Sequence, residues 1–181
     1  MPGPRLARGR INDVRPFVWI FSRLAGRVAG TEPPGVFLTL GRNRRIFWGW
    51  LHFAGRLMPG GRFTRRETEM VILRVAARAG SSYEWAQHAS MGAKAGLTPA
   101  ELSALAGEEA GQTHIWGPRD QMLVRVTDEL FDNEDLTDEM WALMRQHLDD
   151  RLCIELVMLA GHYRMLATAL KVFRVQEDAP R

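Results

Sequence analysis

The last third of the chain carries the strongest constraint on its fold. Over residues 149–173, Leu152, Leu156, Leu159, Tyr163, Leu166, Leu170 and Phe173 recur at spacings of four and three. That is one apolar face of a long α-helix, turned toward a core. A second row, Arg151, Glu155, Met158, His162, Met165, Ala169 and Val172, has the same spacing. Two rows predict cover on two sides, by the helix's own domain and by a partner subunit. Glu155 and His162 interrupt the second row with chemistry.

The same period runs through the rest of the chain, and no alternating strand pattern competes with it. Phe17, Ile20, Phe21, Leu24 and Val28 form a stripe over 12–29. Short and longer helices are expected near 35–41 and 44–58, the latter closed by Pro59-Gly60-Gly61. The segment 65–79 is apolar on most sides and reads as a central helix ended at Gly80. Ser81 with Glu84, and Thr98 with Glu101, have capping-box spacing, and Pro99 takes a first helical position. Those signals open helices over 82–95 and 98–106. Further helices are expected over 118–132, from Thr137 to 147, and over 149–173, with a frayed tail from Val175. The expectation is an all-α bundle of about eight or nine helices. It divides into an N-terminal helical extension, 1–59, that packs on a core, 60–175, followed by a tail, 176–181.

Composition narrows the function classes. One cysteine among 181 residues excludes an internal disulfide, a CxxC redox pair and a Cys-rich zinc site. No run approaches the ~18 consecutive apolar residues of a membrane span, and the first ten residues lack an apolar signal core. A cytoplasmic protein without a membrane partner is expected. Residues 1–66 carry 13 Arg or Lys against two acids, whereas 67–181 carry 11 against 19. The halves complement each other, and no aromatic-interleaved basic motif accompanies the positive one, so nucleic acid is not expected as a partner.

Two acids and a histidine stand out. A turn of ~100° per residue puts Glu69 on the side of Ile72, Leu73 and Ala76. Glu67 and Arg74 fall elsewhere, as a candidate local ion pair. A carboxylate on an apolar face finds a partner or raises its pKa, and either outcome makes a general acid or base. The plainer reading of Glu69 is a tie between two helices. Glu84 and His88, four apart, are neighbours on one face, where Glu could orient the imidazole. The plainer readings there are a cap for Glu84 and a packing role for His88. Glu84 and His88, with Glu69 or His162, also have the composition of a metal site, a reading less favoured than acid–base chemistry.

The stretch from Arg66 to Leu105, RETEMVILRVAARAGSSYEWAQHASMGAKAGLTPAELSAL, resembles the carboxymuconolactone decarboxylase superfamily, which includes the AhpD-like alkylhydroperoxidases. The shared features are an E-x-x-I-L-R-x-A helix, a small-residue turn, and a helix with His followed by A-G-L-T-x-x-E. A looser likeness runs through Trp116, Asp128-Glu129-Leu130, Trp141 and Glu155-Leu156 to Gly161-His162-Tyr163, so it covers most of 60–175. The resemblance implies an AhpD-like helical fold assembled as a homo-oligomer (dimer, trimer or hexamer) and a site between the helices bearing Glu69 and His88. The peroxidase branch uses Glu, then C-x-x-C, then His. Carried over, these fall on Glu69, Ser81, Glu84 and His88, so both thiols are missing here.

Thiol peroxidase activity is therefore not expected, and Cys153, in the apolar run RLCIELVML, reads as a buried thiol. What is expected is a cofactor-independent enzyme acting by acid–base chemistry on a small organic acid, lactone or carbonyl compound. His88, Glu84 and Glu69 would carry the chemistry, and Arg74, His162, Tyr163 and Ser81 would contact substrate, with no metal. The alternatives are a non-catalytic binding or assembly module on the same fold, and antioxidant activity through Cys153.

Overall fold

The structure is a computed structural model that describes residues 3–112 and 114–180. Among them are nine α-helices, one 3₁₀ turn and no strand. They divide into two compact units, one formed by 1–54 with 169–181 and the other by 55–168.

The first unit holds α1 (Ile11–Ala29), α2 (Gly35–Leu40) and the beginning of α3 (Arg44–Leu57). Pro16 cannot continue a regular helix and restricts the residue before it. Arg15 leaves the helical region, at φ 69, and α1 bends there. Gly30, at φ 74, ends the helix with a left-handed cap. The buried face of α1 is Val14, Val18 and Ser22, packed with Leu38 and Phe47. Phe21, Phe37 and Phe47 complete an aromatic cluster, with ring centroids 5.4–6.3 Å apart. The predicted stripe is thus corrected: Phe17, Ile20 and Leu24 are exposed, Phe17 at 79%, and only Phe21 joins the core. The side chain of Val28 lies outside the described residues.

The tail is not frayed. Glu32 N donates to Ala179 O at 3.0 Å, and Gly35 N donates to Asp178 Oδ1 at 2.9 Å. Arg8 pairs with that same carboxylate at 2.9 Å and donates to the carbonyls of Gln176 and Glu177. Arg181 lies outside the described residues.

In the second unit α4 (Arg65–Ala79) is the central helix, buried at every position from Glu67 to Ala76. Thr64 and Glu67 form a reciprocal capping box at its start, and Gly80, at φ 60, ends it. Around it pack α5 (Ser82–Lys94), α6 (Pro99–Ala106) and α7 (Pro118–Asn133), with the 3₁₀ turn Ala110–Gln112 against α6 and α7. Met70, Leu73, Leu97, Leu105, Ala110, Trp116 and Val124 form the core there. Each such burial of a large apolar side chain contributes roughly 1.5–3 kcal/mol. The expected Thr98–Glu101 box and Thr137 cap are present on α6 and on α8 (Asp138–His147).

The last helix, α9 (Asp150–Phe173), buries Leu156, Leu159, Tyr163, Leu166 and Leu170 of the predicted core row, whereas Leu152 and Phe173 at its two ends are half-buried. It is long and apolar enough to cross a membrane by composition, with mean hydropathy 1.2. Its row of buried residues is that of a core helix. From the second row Met158, Met165 and Val172 are exposed, while His162 is buried.

The Glu67–Arg74 pairing is also corrected. Glu67 closes the Thr64 box and accepts from Arg119 Nε at 2.6 Å. Arg74 turns into the unit on the opposite course, toward α7.

Candidate active site

α4 and α5 run back from the Gly80–Ser81 turn, bringing residue 69 level with residue 88. Gly92 permits that approach: a Cβ there would lie 2.9 Å from Leu97 Cδ1 and 3.1 Å from Leu73 Cδ1. Glu69 is fully buried and His88 is 7% exposed. His88 Nδ1 lies 2.7 Å from Glu69 Oε2. Arg65 Nη2 pairs with the other oxygen, Oε1, at 2.8 Å. His88 Nε2 makes no hydrogen bond among the described residues.

This arrangement corrects the sequence expectation that Glu84 orients His88. The neighbour on the adjacent helix takes the imidazole, because its carboxylate faces Nδ1 across the α4–α5 seam. Ser81 stands at the N-cap of α5 but makes no side-chain cap bond, so the predicted box with Glu84 does not form.

Glu84 instead points inward, 2% exposed, and neither of its oxygens nor Ser81 Oγ has a well-formed hydrogen bond among the described residues. Burial pushes its carboxyl up to about 7, opposed by the neighbouring Ser81 hydroxyl. Such an unpaired, half-titrated carboxyl inside a protein is costly, which marks a functional site more often than a structural one.

Tyr163 completes the cluster from α9. Its ring meets His88 and His162 edge-on, each at 5.2 Å between centroids. Its hydroxyl lies 3.9 Å from Met58 Sδ. Burial, then the charges of Glu69 and Glu84, raise its pKa far above the usual value, so it stays neutral. Burial pushes His162 down to about 4, so it too is uncharged at neutral pH.

Glu69, His88, Tyr163 and His162 are therefore joined through direct contacts, and Glu84 reaches them through the field it exerts at Tyr163. Arg74 is not among them. Its guanidinium is committed to Asp128 at 2.5 Å and to the carbonyls of Leu105, Gly107 and Glu108 at 2.9, 2.6 and 3.3 Å. Arg65 is the residue the sequence reading missed, although its i,i+4 spacing from Glu69 was the available signal. A cavity of about 190 Å³ between Val75, Phe131, Val157 and Arg164, and one of about 380 Å³ beside Glu108 and Glu129, include none of the cluster residues. Cys153 is buried in α9, near Arg145 and Leu148 O.

The two shifted groups pull pH dependence in opposite directions. Glu84, raised from 4.5 to about 7, adds stability below about 4.5 that is lost as pH rises through 7. His162, lowered from 6.5 to about 4, adds stability above 6.5 that is lost as pH falls through 4. Between 4.5 and 6.5 the slopes oppose. Glu84→Gln leaves the histidine's slope alone, so its Tm is expected to climb more steeply with pH across that window than the wild type's. Thermal melts at half-unit pH intervals check this, and superimposable profiles would contradict it.

The chain is an all-helical bundle with a buried carboxylate–imidazole pair between two adjacent helices, and comparisons show what that arrangement is similar to. Residues 44–111 match the carboxymuconolactone decarboxylase family. Over those residues the chain resembles that family, and its one cysteine, Cys153, leaves it without the two cysteines of the peroxidase branch. Its fold is similar to that of an uncharacterized peroxidase-related protein from Ralstonia eutropha, described as an alkylhydroperoxidase AhpD core. That likeness has TM-score 0.84 at 16% identity and covers 98% of this chain and 93% of the other. A peroxidase-related protein from Silicibacter sp. is similar at TM-score 0.82 and 13% identity, over 97% and 94% of the two chains. The debrominase Bmp8 is similar at TM-score 0.77 and 13% identity, over 97% and 92%. At such identities the likeness shows the fold alone. No curated protein sequence matches the chain.

Proposed function

We propose that this chain is a cofactor-independent enzyme that uses Glu69, His88 and Glu84 for acid–base chemistry on a small organic acid, lactone or carbonyl compound. The observation that carries the reading is the 2.7 Å contact from His88 Nδ1 to the buried Glu69, with no hydrogen bond to Nε2 among the described residues. A carboxylate at Nδ1 favours the tautomer with its proton there, so Nε2 presents a lone pair. His88 then takes a proton from the substrate as base. Glu84, with a pKa of about 7, holds a proton available for return near neutral pH. Tyr163 and His162, both uncharged, line the same cluster and exclude water from it.

Residues 81 and 84 are Ser and Glu, where the resemblance places the peroxidase thiols, and Cys153 is buried elsewhere. This supports chemistry without sulfur. The reading includes a homo-oligomer, supported by Ile154, Met158, Met165 and Val172, which leave one side of α9 apolar and exposed.

The test is a panel of small keto acids and γ-carboxy lactones incubated with the protein in D2O, with deuterium incorporation and loss of CO2 followed by NMR. The wild type is expected to convert at least one, and His88→Ala and Glu84→Gln to lower that rate by about 10²-fold or more. Unchanged rates in both variants would overturn the assignment. One observation favours a non-catalytic module on the same fold: Glu69, Glu84, His88, His162 and Tyr163 are each at most 7% exposed. That reading gains if the wild type converts nothing while His88→Ala simply lowers Tm.

A further inference from the structure

We propose that Arg65 is a positioning residue that decides which nitrogen of His88 carries the proton. The inference rests on the reading of Glu69 and His88 as an acid–base pair, but its test does not need a substrate.

Arg65 is the first residue of α4, and its side chain is 40% exposed, whereas that of Glu69 is fully buried. The guanidinium reaches down one turn to Glu69 Oε1 at 2.8 Å and also lies 3.3 Å from Met91 Sδ on α5. It thus spans the seam above the pair and is the member of the cluster that meets solvent. A fully buried carboxylate is expensive to ionise unless a cation and hydrogen bonds compensate it. One oxygen has His88 Nδ1, and the other, which makes no well-formed hydrogen bond among the described residues, has the Arg65 guanidinium as its ion-pair partner. Tyr163 and His162 bring no charge, and Glu84 brings only a negative one.

With the guanidinium in place, Glu69 stays an anion and accepts from Nδ1–H, and the neutral imidazole keeps its lone pair on Nε2. Without it, a net negative charge would be left inside the bundle, and the pair takes up one proton from solvent. That proton has two places to settle. On the carboxyl, Glu69 O–H donates to Nδ1 and the ring proton moves to Nε2. On the ring, the imidazolium carries protons on both nitrogens. In either case Nε2 is protonated and no longer a base. Arg65 therefore acts through Glu69 rather than on the reacting atoms.

The experiment uses the full chain, labelled with ¹⁵N, and long-range ¹H–¹⁵N correlations of the His88 ring at neutral pH. The wild type is expected to show an unprotonated Nε2 and a protonated Nδ1. Arg65→Gln is expected to show a protonated Nε2, and Arg65→Lys to restore the wild-type pattern. Any substrate turnover found for the wild type should fall about 10²-fold in Arg65→Gln and recover in Arg65→Lys. A protonated Nε2 in the wild type, or an unprotonated one in Arg65→Gln, overturns the proposal. If instead the tautomers behave as stated while no substrate is turned over, the enzymatic reading fails and the role of Arg65 stands.

Discussion

Glu69→Gln should lower turnover by about 10²–10⁴-fold while the helices remain formed. The amide keeps the shape of the carboxylate and fits the same space between α4 and α5. It cannot keep the charge. An amide nitrogen turned toward His88 Nδ1 donates where the carboxylate accepted, and the imidazole proton then belongs on Nε2. An amide oxygen turned the same way still accepts, but no anion stabilises the imidazolium formed when Nε2 takes a proton. Both outcomes impair the base. The measurement is kcat/KM for any substrate identified from the panel, with far-UV circular dichroism to show that helix content is unchanged. A loss below tenfold would mean that Glu69 only ties the two helices together.

Arg74→Met is expected to cost about 3 kcal/mol of stability, at the low end of the ~3–5 kcal/mol for breaking a buried pair. The wild-type guanidinium is 1% exposed and makes four bonds, to Asp128 and to three carbonyls in and after the last turn of α6. Methionine fills the stem's volume and supplies none of them. The estimate is kept low because Asp128 is 19% exposed and has a second cation, Arg78, at 3.5 Å. Arg74→Lys should recover little, since a single ammonium cannot match a fork aimed at a carboxylate and several carbonyls. Urea unfolding with a fixed m-value checks the size, and a change under 1 kcal/mol would show that water replaces those bonds.

The fold was largely legible, and the reason lies in punctuation as much as in periodicity. Gly80, Thr98-Pro99, Thr137 and the Pro59-Gly60-Gly61 break bound their helices where local chemistry says they must. The faces were harder. In α1 two interleaved apolar rows have equal helical spacing, and only packing chooses Val14 and Val18 over Phe17, Ile20 and Leu24. The site was legible in membership and not in wiring. Glu69, Glu84, His88, His162 and Tyr163 could all be singled out, yet the i,i+4 neighbour of His88 lost its imidazole to a residue 19 positions away. A helix wheel contains the first distance and not the second. Ser81 shows the same limit: its spacing from Glu84 suits a cap, but the carboxyl is drawn inward and the cap is left unmade. Arg74 has no local signal at all, because its partners belong to α7, to the last turn of α6 and to the loop after it.

The way Asp178 is held has a consequence for how the polypeptide is made. Its carboxylate satisfies the Gly35 amide and the Arg8 guanidinium, and Ala179 receives the Glu32 amide. These are stitches between residues 8–35 and residues 178–179. During synthesis the ribosome emits Gly35 143 residues before Asp178. The earlier-made portion must therefore wait, incompletely fastened, until residues 178 and 179 have emerged.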